Sequence, residues 1–190
     1  MNIPNQLTIL RLFLTILMVI FYSIFPDLAF TPFIVLGFFA IGSFTDFLDG
    51  YIARKKNLVT DFGKLMDPVA DKILVLSAIL ILIISGLVPF WTMLIVLLRE
   101  LLVLGIRMLA LQSDSSNVIA ADIFGKIKTM TQMVSIILIL LFAGISNYTE
   151  DTFIRVMSIV GLVLFYISIA FTLFSGADIL IKNRKLIKNI

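Results

Sequence analysis

Four aspartates with helical spacing stand within a short stretch of an otherwise apolar chain: Asp46, Asp49, Asp67 and Asp71. The first two are three residues apart and the last two are four apart, so each pair falls on one face of an α-helix. Two such helices that meet would bring the carboxylates together, where repulsion at low dielectric favours protonation or cation binding. Carboxylate oxygens suit Mg²⁺ or Mn²⁺, and two such ions would neutralise all four charges. The spacing therefore predicts a two-metal site.

The composition places this site in a membrane protein. The 190 residues are 61% hydrophobic and only 14% charged, and their mean hydropathy is +1.13. These values are typical of a chain that crosses the bilayer several times. The absence of cysteine and histidine excludes disulfides, thiol nucleophiles and Cys/His zinc sites. Without histidine, proton abstraction near neutral pH falls to Asp, Glu or Lys.

The apolar pattern predicts an all-α integral membrane fold with six transmembrane helices. A short N-terminal interfacial helix precedes them, because Ile3, Leu7 and Leu10 share one face. Thr31 is a candidate N-cap for the second span, and Pro68 is expected to open or kink the third. No soluble domain fits between the spans, so we predict one transmembrane catalytic domain over residues 1–190. The spans are expected at about 7–25, 32–49, 62–85, 90–111, 128–142 and 153–174.

The distribution of basic residues predicts the orientation in the membrane. The loop between spans 2 and 3 carries four of them: Arg54, Lys55, Lys56 and Lys64. The basic C-terminal tail lies on the same side, whereas Arg155 is the only Lys or Arg in the loops of the opposite side. The positive-inside rule therefore places both termini and the aspartates at the cytoplasmic face of a bacterial cell membrane. The start of the chain lacks the pattern of a removable signal peptide.

The aspartates belong to a longer pattern, Asp46-x2-Asp49-Gly50-x2-Ala53-Arg54-x8-Gly63-x3-Asp67-x3-Asp71. This resembles the signature of the CDP-alcohol phosphatidyltransferases, with all eight fixed positions present within 26 residues. The opening NIPNQLTILR, the pair Arg99-Glu100 and the segment GKIKT are similar to the branch of that family that uses sn-glycerol 3-phosphate.

The resemblance implies a metal-dependent transfer of a phosphatidyl group from CDP-diacylglycerol to an alcohol, with release of CMP. It implies that Asp46, Asp49 and Asp67 bind two Mg²⁺ or Mn²⁺ ions and that Asp71 is shared between a metal and the acceptor hydroxyl, as general base. It also implies a homodimer. The expected CDP-diacylglycerol contacts are the small residues Gly50, Ala53 and Gly63, which leave room for the nucleotide, and Arg54, which pairs with a phosphate oxygen.

The acceptor follows from cations near the inner face. Arg107, Lys126 and Lys128 are candidate ligands for the phosphate of sn-glycerol 3-phosphate, although setting topology is an alternative role for them. Inositol phosphate, serine and phosphatidylglycerol are alternative acceptors, but serine would not need these cations.

Arg99 and Glu100 lie deep in span 4, where a structural role and substrate contact are both open. The tail lysines are expected to contact membrane lipids, and no nucleic-acid partner is expected.

A cation transporter is the alternative from another functional class. Its acidic residues would stand near the bilayer midplane, commonly within repeated halves or broken helices. The aspartates here lie near one face, and the sequence shows no internal repeat. The pattern therefore favours an enzyme.

Overall fold

A computed structural model of the chain describes residues 3–56, 61–112 and 123–184. These residues form six long helices, and no strand occurs among them, as the all-α prediction requires. The N-terminal interfacial segment is continuous with the first span, because α1 already begins at Ile3. The helices are α1 (Ile3–Ile24), α2 (Thr31–Lys56), α3 (Asp61–Ile84), α4 (Trp91–Gln112), α5 (Ile123–Ser146) and α6 (Thr152–Lys182).

Hydropathy separates the six helices into two groups. Among the described residues, α1, α5 and α6 are long and apolar enough to cross a membrane by composition alone. The apolar part of α2 is shorter and stops at Asp46. The helices α2 and α3 carry the aspartates, and α3 and α4 carry Lys72, Arg99 and Glu100, which lowers the hydropathy of these three helices. Large apolar side chains such as Leu94, Leu98 and Leu101 are exposed on α4, as expected for a helix beside lipid.

The helices pack around a common apolar core. α1 packs on α2 and α3, α5 packs on α6, and α2 and α4 complete the bundle against α5 and α6. Gly42 lets α2 approach α3, because a Cβ at this position would lie 2.9 Å from Cδ2 of Leu74. Asp46 follows Gly42 by one helical turn, so this close approach lies beside the aspartates. Fully buried core side chains include Met18, Val35, Phe39, Leu74, Ile79, Leu82, Ile136 and Phe165.

The up-and-down order of the helices collects the polar residues at one end of the bundle. The starts of α1, α3 and α5 meet the ends of α2, α4 and α6 there. Pro68 lies inside α3 and does not open it, because the helix begins at Asp61. Thr31 begins α2, but its hydroxyl donates to the carbonyl of Phe25. The backbone N–H groups of Phe33 and Ile34 donate to the carbonyl of Phe30. The N-cap position therefore falls on Phe30, one residue before the predicted one.

Candidate active site

α1 connects the two helices that carry the aspartates. Arg11 is fully buried, and its Nη1 lies 2.7 Å from Oδ1 of Asp46 on α2. The hydroxyl of Thr8 donates to Oδ1 of Asp67 on α3, at 2.5 Å. Thr8 and Arg11 are three residues apart and share one face of α1. One helix face therefore positions a carboxylate from each half of the aspartate motif.

Asp71 stands one turn after Asp67 on α3 and is partly buried. Its carboxylate interacts electrostatically with Asp46 across the α2–α3 contact, and also with Glu100, Lys72 and Arg11. The structure thus places Asp46, Asp67 and Asp71 at the same end of the bundle, as the spacing predicts. Asp49 lies on α2, but its side chain is outside the described part. Among the described side chains, no group of three acidic residues is close enough to hold a metal ion.

The donor set is chemically suited to hard divalent cations. The three described aspartates offer carboxylate oxygens, and the contacts from α1 are both made to Oδ1. Mg²⁺ and Mn²⁺ prefer oxygen ligands, and the chain offers neither thiolate nor imidazole. The residues that would hold the ions are Asp46, Asp49, Asp67 and Asp71.

Glu100 binds three cations from three helices, and we call these four residues the Glu100 cluster. Lys72 Nζ of α3 lies 2.5 Å from Oε2, and Lys128 Nζ of α5 lies 2.6 Å from Oε1. Arg99 Nη1 of α4 lies 3.0 Å from Oε1. Glu100 and Lys128 are buried. Because Lys72 follows Asp71 directly, the cluster borders the aspartates.

A polar cavity of about 80 Å³ lies between Asp71 and the Glu100 cluster. Gln132 also lines it and is only 2% exposed. Its Nε2 finds no hydrogen-bond partner among the described residues. A buried donor without a partner is costly, and an anion in this cavity would satisfy it. The cavity walls therefore offer cations and a free donor next to a carboxylate.

A much larger cavity of about 1110 Å³ opens at the other end of the bundle. Residues such as Tyr22, Asp27, Ile139 and Arg155 line it, and none of the motif aspartates whose side chains are described does. If cavity volume were the only criterion, this larger cavity would be the candidate active site. The smaller cavity is the candidate site, because Asp71 and the Glu100 cluster line it.

The other predicted site residues are placed only by their helices. Gly50, Ala53 and Arg54 lie near the end of α2, and Gly63 lies in the first turn of α3. Their side-chain surroundings, and those of Arg107 on α4 and Lys126 on α5, fall outside the described part. Lys128 does reach the site, as a member of the Glu100 cluster.

Several site residues escape the motif-based interpretation: Thr8, Arg11, Lys72, Gln132 and Ser175. Arg11 has a recognisable signal, since a charged residue inside an apolar span is costly unless it has a partner. Lys72 and Gln132 are also polar residues in apolar helices. Ser175 accepts a hydrogen bond from Nη2 of Arg99 at 2.8 Å, and this contact between distant helices has no local sequence signal.

Comparison with known proteins identifies the family of this chain. Residues 1–174 match the CDP-alcohol phosphatidyltransferase family. The chain belongs to this family. Full-length relatives share the name CDP-diacylglycerol–glycerol-3-phosphate 3-phosphatidyltransferase. The Bacillus subtilis protein is 34% identical over 98% of this chain and 97% of its own length. The Rickettsia bellii protein is 38% identical over 92% and 91%, and the Mycoplasma pneumoniae protein 32% over 92% and 84%.

Membership of the CDP-alcohol phosphatidyltransferase family confirms the resemblance drawn from the motif. The chain is therefore a membrane-embedded transferase of phospholipid biosynthesis. The sequence left the role of Arg99 and Glu100 in this phosphatidyltransferase open. Glu100 contacts Lys72 and Lys128 at the edge of the candidate site. Arg99 connects α4 to α6 through Ser175.

Proposed function

We propose that the chain transfers the phosphatidyl group of CDP-diacylglycerol to sn-glycerol 3-phosphate, forming phosphatidylglycerophosphate and CMP. The observation that carries the choice of acceptor is the cavity beside Asp71, which three cations and a free amide donor line. A phosphate monoester carries about −1.5 to −2 charge at pH 7, which suits this lining. The shared name of the relatives supports the same acceptor.

Two Mg²⁺ or Mn²⁺ ions are part of this proposal, held by Asp46, Asp49, Asp67 and Asp71. When bound, such ions stabilise negative charge on the attacking and leaving oxygens of a phosphoryl displacement. Arg11 and Thr8 hold Asp46 and Asp67 in place from α1. Oriented ligands of this kind reduce the reorganisation that binding would otherwise require.

Asp71 is the proposed general base. It takes the proton from a hydroxyl of the acceptor, and the hydroxyl oxygen forms a bond to the phosphatidyl phosphorus. The bond from that phosphorus to the CMP oxygen breaks, and CMP leaves with the electron pair. Charge and atoms balance, with the proton on Asp71 until it passes to solvent.

The donor is proposed to bind through other residues of the motif. Arg54 is proposed to pair with a donor phosphate, and Gly50, Ala53 and Gly63 leave room for the nucleotide.

The acceptor phosphate is proposed to lie in the cavity between Asp71 and Glu100. Lys128 is the predicted acceptor ligand that the structure describes there, and Gln132 and Arg99 line the same space. Arg107 and Lys126 remain predicted ligands. Inositol phosphate would use the same cations, whereas serine would leave them uncompensated. Membership of an enzyme family argues against the cation transporter.

We further propose that the site faces the cytoplasm, where a soluble phosphorylated acceptor is available. This orientation rests on the distribution of Lys and Arg in the loops. Homodimer formation and lipid contacts of the basic tail stay predictions.

An acceptor panel tests the proposed function. Purified protein in detergent would be incubated with CDP-diacylglycerol and Mg²⁺, and CMP release measured with each acceptor added separately. We expect the fastest release with sn-glycerol 3-phosphate, slower release with inositol phosphate, and little with serine or phosphatidylglycerol. Fast release with serine and none with the phosphorylated glycerol would reject the acceptor assignment and leave the family unchanged.

A further inference from the structure

The position of Glu100 at the cavity is unexpected for a residue that carries a negative charge. A carboxylate inside the cation-lined side of the cavity removes part of the positive charge that an anionic acceptor would use. Yet Glu100 is buried and touches all three cations: Lys72, Arg99 and Lys128. We propose that Glu100 is a positioning and specificity residue that gathers these cations and sets their excess charge for a dianionic phosphate monoester. This inference rests on the proposed function.

The physical reason begins with repulsion among the cations. Lys128 is 4% exposed, and a buried ammonium without an anionic partner is costly. Without Glu100, the charges of Lys72, Arg99 and Lys128 would repel one another and move apart. Lysine side chains are flexible. Contact with one shared carboxylate holds the lysine ammonium groups in defined positions, which contact with solvent alone would not do. The cluster therefore exists in the free protein, before a ligand is bound.

The net charge of the Glu100 cluster matches the charge of a phosphate monoester. Three cations face one carboxylate within the cluster, so two positive charges are in excess. A phosphate monoester, at about −1.5 to −2, matches that excess, whereas a neutral alcohol does not. Asp71, which also lines the cavity and interacts with Lys72, would be neutralised by the proposed metal ions, so that the excess of two charges is left for the phosphate.

The surroundings of Arg99 show that the cluster is held from a second side. Nη2 of Arg99 donates to the hydroxyl of Ser175 on α6. A Cβ at Gly125 of α5 would lie 3.2 Å from the same Nη2, and one at Gly176 of α6 would lie 3.5 Å from Cγ of Arg99. A methyl group at Gly125 would therefore press on the guanidinium and shift it by a few tenths of an ångström, whereas one at Gly176 would meet the Arg99 side chain at an ordinary van der Waals distance.

Glu100→Gln is the primary test, with Glu150→Gln as its control. These are the two glutamates of the chain, and Glu150 is exposed in the loop before α6. For Glu100→Gln we expect KM for sn-glycerol 3-phosphate to rise about 10- to 100-fold, the range of a lost charge-assisted contact. KM for CDP-diacylglycerol should change less than about threefold, on the same scale. Glu100→Asp, which keeps the charge, should recover part of the loss.

Gly125→Ala tests the same idea without changing any charge. Like Glu100→Gln, it should raise KM for the acceptor, here because the added methyl group shifts the guanidinium of Arg99. Gly105→Ala on α4 is the matched control, because a Cβ there would meet nothing within 4 Å. If Glu100→Gln does not fold, Glu100→Asp and Gly125→Ala decide the question.

Binding of inorganic phosphate provides a readout that does not need turnover. Phosphate should raise the unfolding temperature of the wild type, compete with sn-glycerol 3-phosphate, and do both more weakly in Glu100→Gln. An unchanged acceptor KM in both Glu100→Gln and Gly125→Ala would overturn the inference. A fall in kcat alone, or an equal loss for both substrates that Glu100→Asp does not relieve, would also overturn it. A wild type without acceptor-dependent CMP release would instead refute the proposed function.

Discussion

The guanidinium of Arg11 lies 2.7 Å from the carboxylate of Asp46, and it does so from a fully buried position on α1. The side chain of Asp46 is 37% exposed, so the pair joins the interior of the bundle to the open site. Thr8 makes the corresponding contact to Asp67. α1 therefore supports the candidate active site although it carries no residue of the aspartate motif.

Replacement of Arg11 should destabilise the metal-free protein. Arg11→Met removes the partner of Asp46, and we expect a loss of about 1–3 kcal/mol in the free energy of unfolding. The exposure of Asp46 keeps the loss below that of a fully buried pair. Arg11→Lys keeps the charge and should lose less. Unfolding in detergent, monitored by Trp91 fluorescence, measures both, with Arg155→Met at the opposite end as control.

The same variant distinguishes support of the site from simple packing. Bound Mg²⁺ would supply positive charge to Asp46 in place of Arg11. Saturating Mg²⁺ should therefore recover part of the stability that Arg11→Met loses. An equal loss with and without Mg²⁺ would show that Arg11 serves packing alone.

Removal of divalent metal should abolish turnover. A chelator in excess should stop CMP release, and added Mg²⁺ or Mn²⁺ should restore it, because the aspartates need neutralising charge. Asp46→Asn and Asp67→Asn should shift the Mg²⁺ titration to higher concentrations. Full activity in excess chelator, with metal absent by elemental analysis, would contradict the two-metal proposal.

Loss of the Asp71 carboxylate should affect the chemical step most strongly. General-base assistance is worth about 10²- to 10⁴-fold in rate, so Asp71→Asn should lower kcat by about 100-fold or more. Binding of CDP-diacylglycerol should remain close to that of the wild type. Asp27→Asn, on an exposed residue between α1 and α2, is the control. A variant with near-normal kcat would remove Asp71 from the role of base.

Single cysteines test the proposed orientation. The chain has no native cysteine, so labelling background should be low. Cysteines at Lys56 and Ser115 should react only from the cytoplasmic side, and those at Asp27 and Thr149 only from outside. Asp27 precedes α2 and Lys56 ends it, so these two report on opposite ends of one helix. The reverse pattern would place the site away from a cytosolic acceptor.

The sequence predicts those parts of the fold and site that depend on local periodicity. The spacing of Asp67 and Asp71 can be read along α3, and the apolar pattern reveals six helices. Partners across helices have no such signal. Nothing near Glu100 in the chain indicates that Lys128, 28 residues later, contacts it. Pro68 lies inside α3, which begins at Asp61, so of the two roles predicted for it the opening of the helix is wrong.

Transfer of labelled sn-glycerol 3-phosphate into lipid tests the central claim most directly. Purified protein would receive CDP-diacylglycerol, Mg²⁺ and radiolabelled acceptor, and the organic phase would be analysed for phosphatidylglycerophosphate together with CMP in the aqueous phase. We predict equal molar amounts of both products from the wild type and at least about 100-fold less from Asp71→Asn. CMP formation without labelled lipid, or labelled lipid formed equally well by Asp71→Asn, would contradict the account.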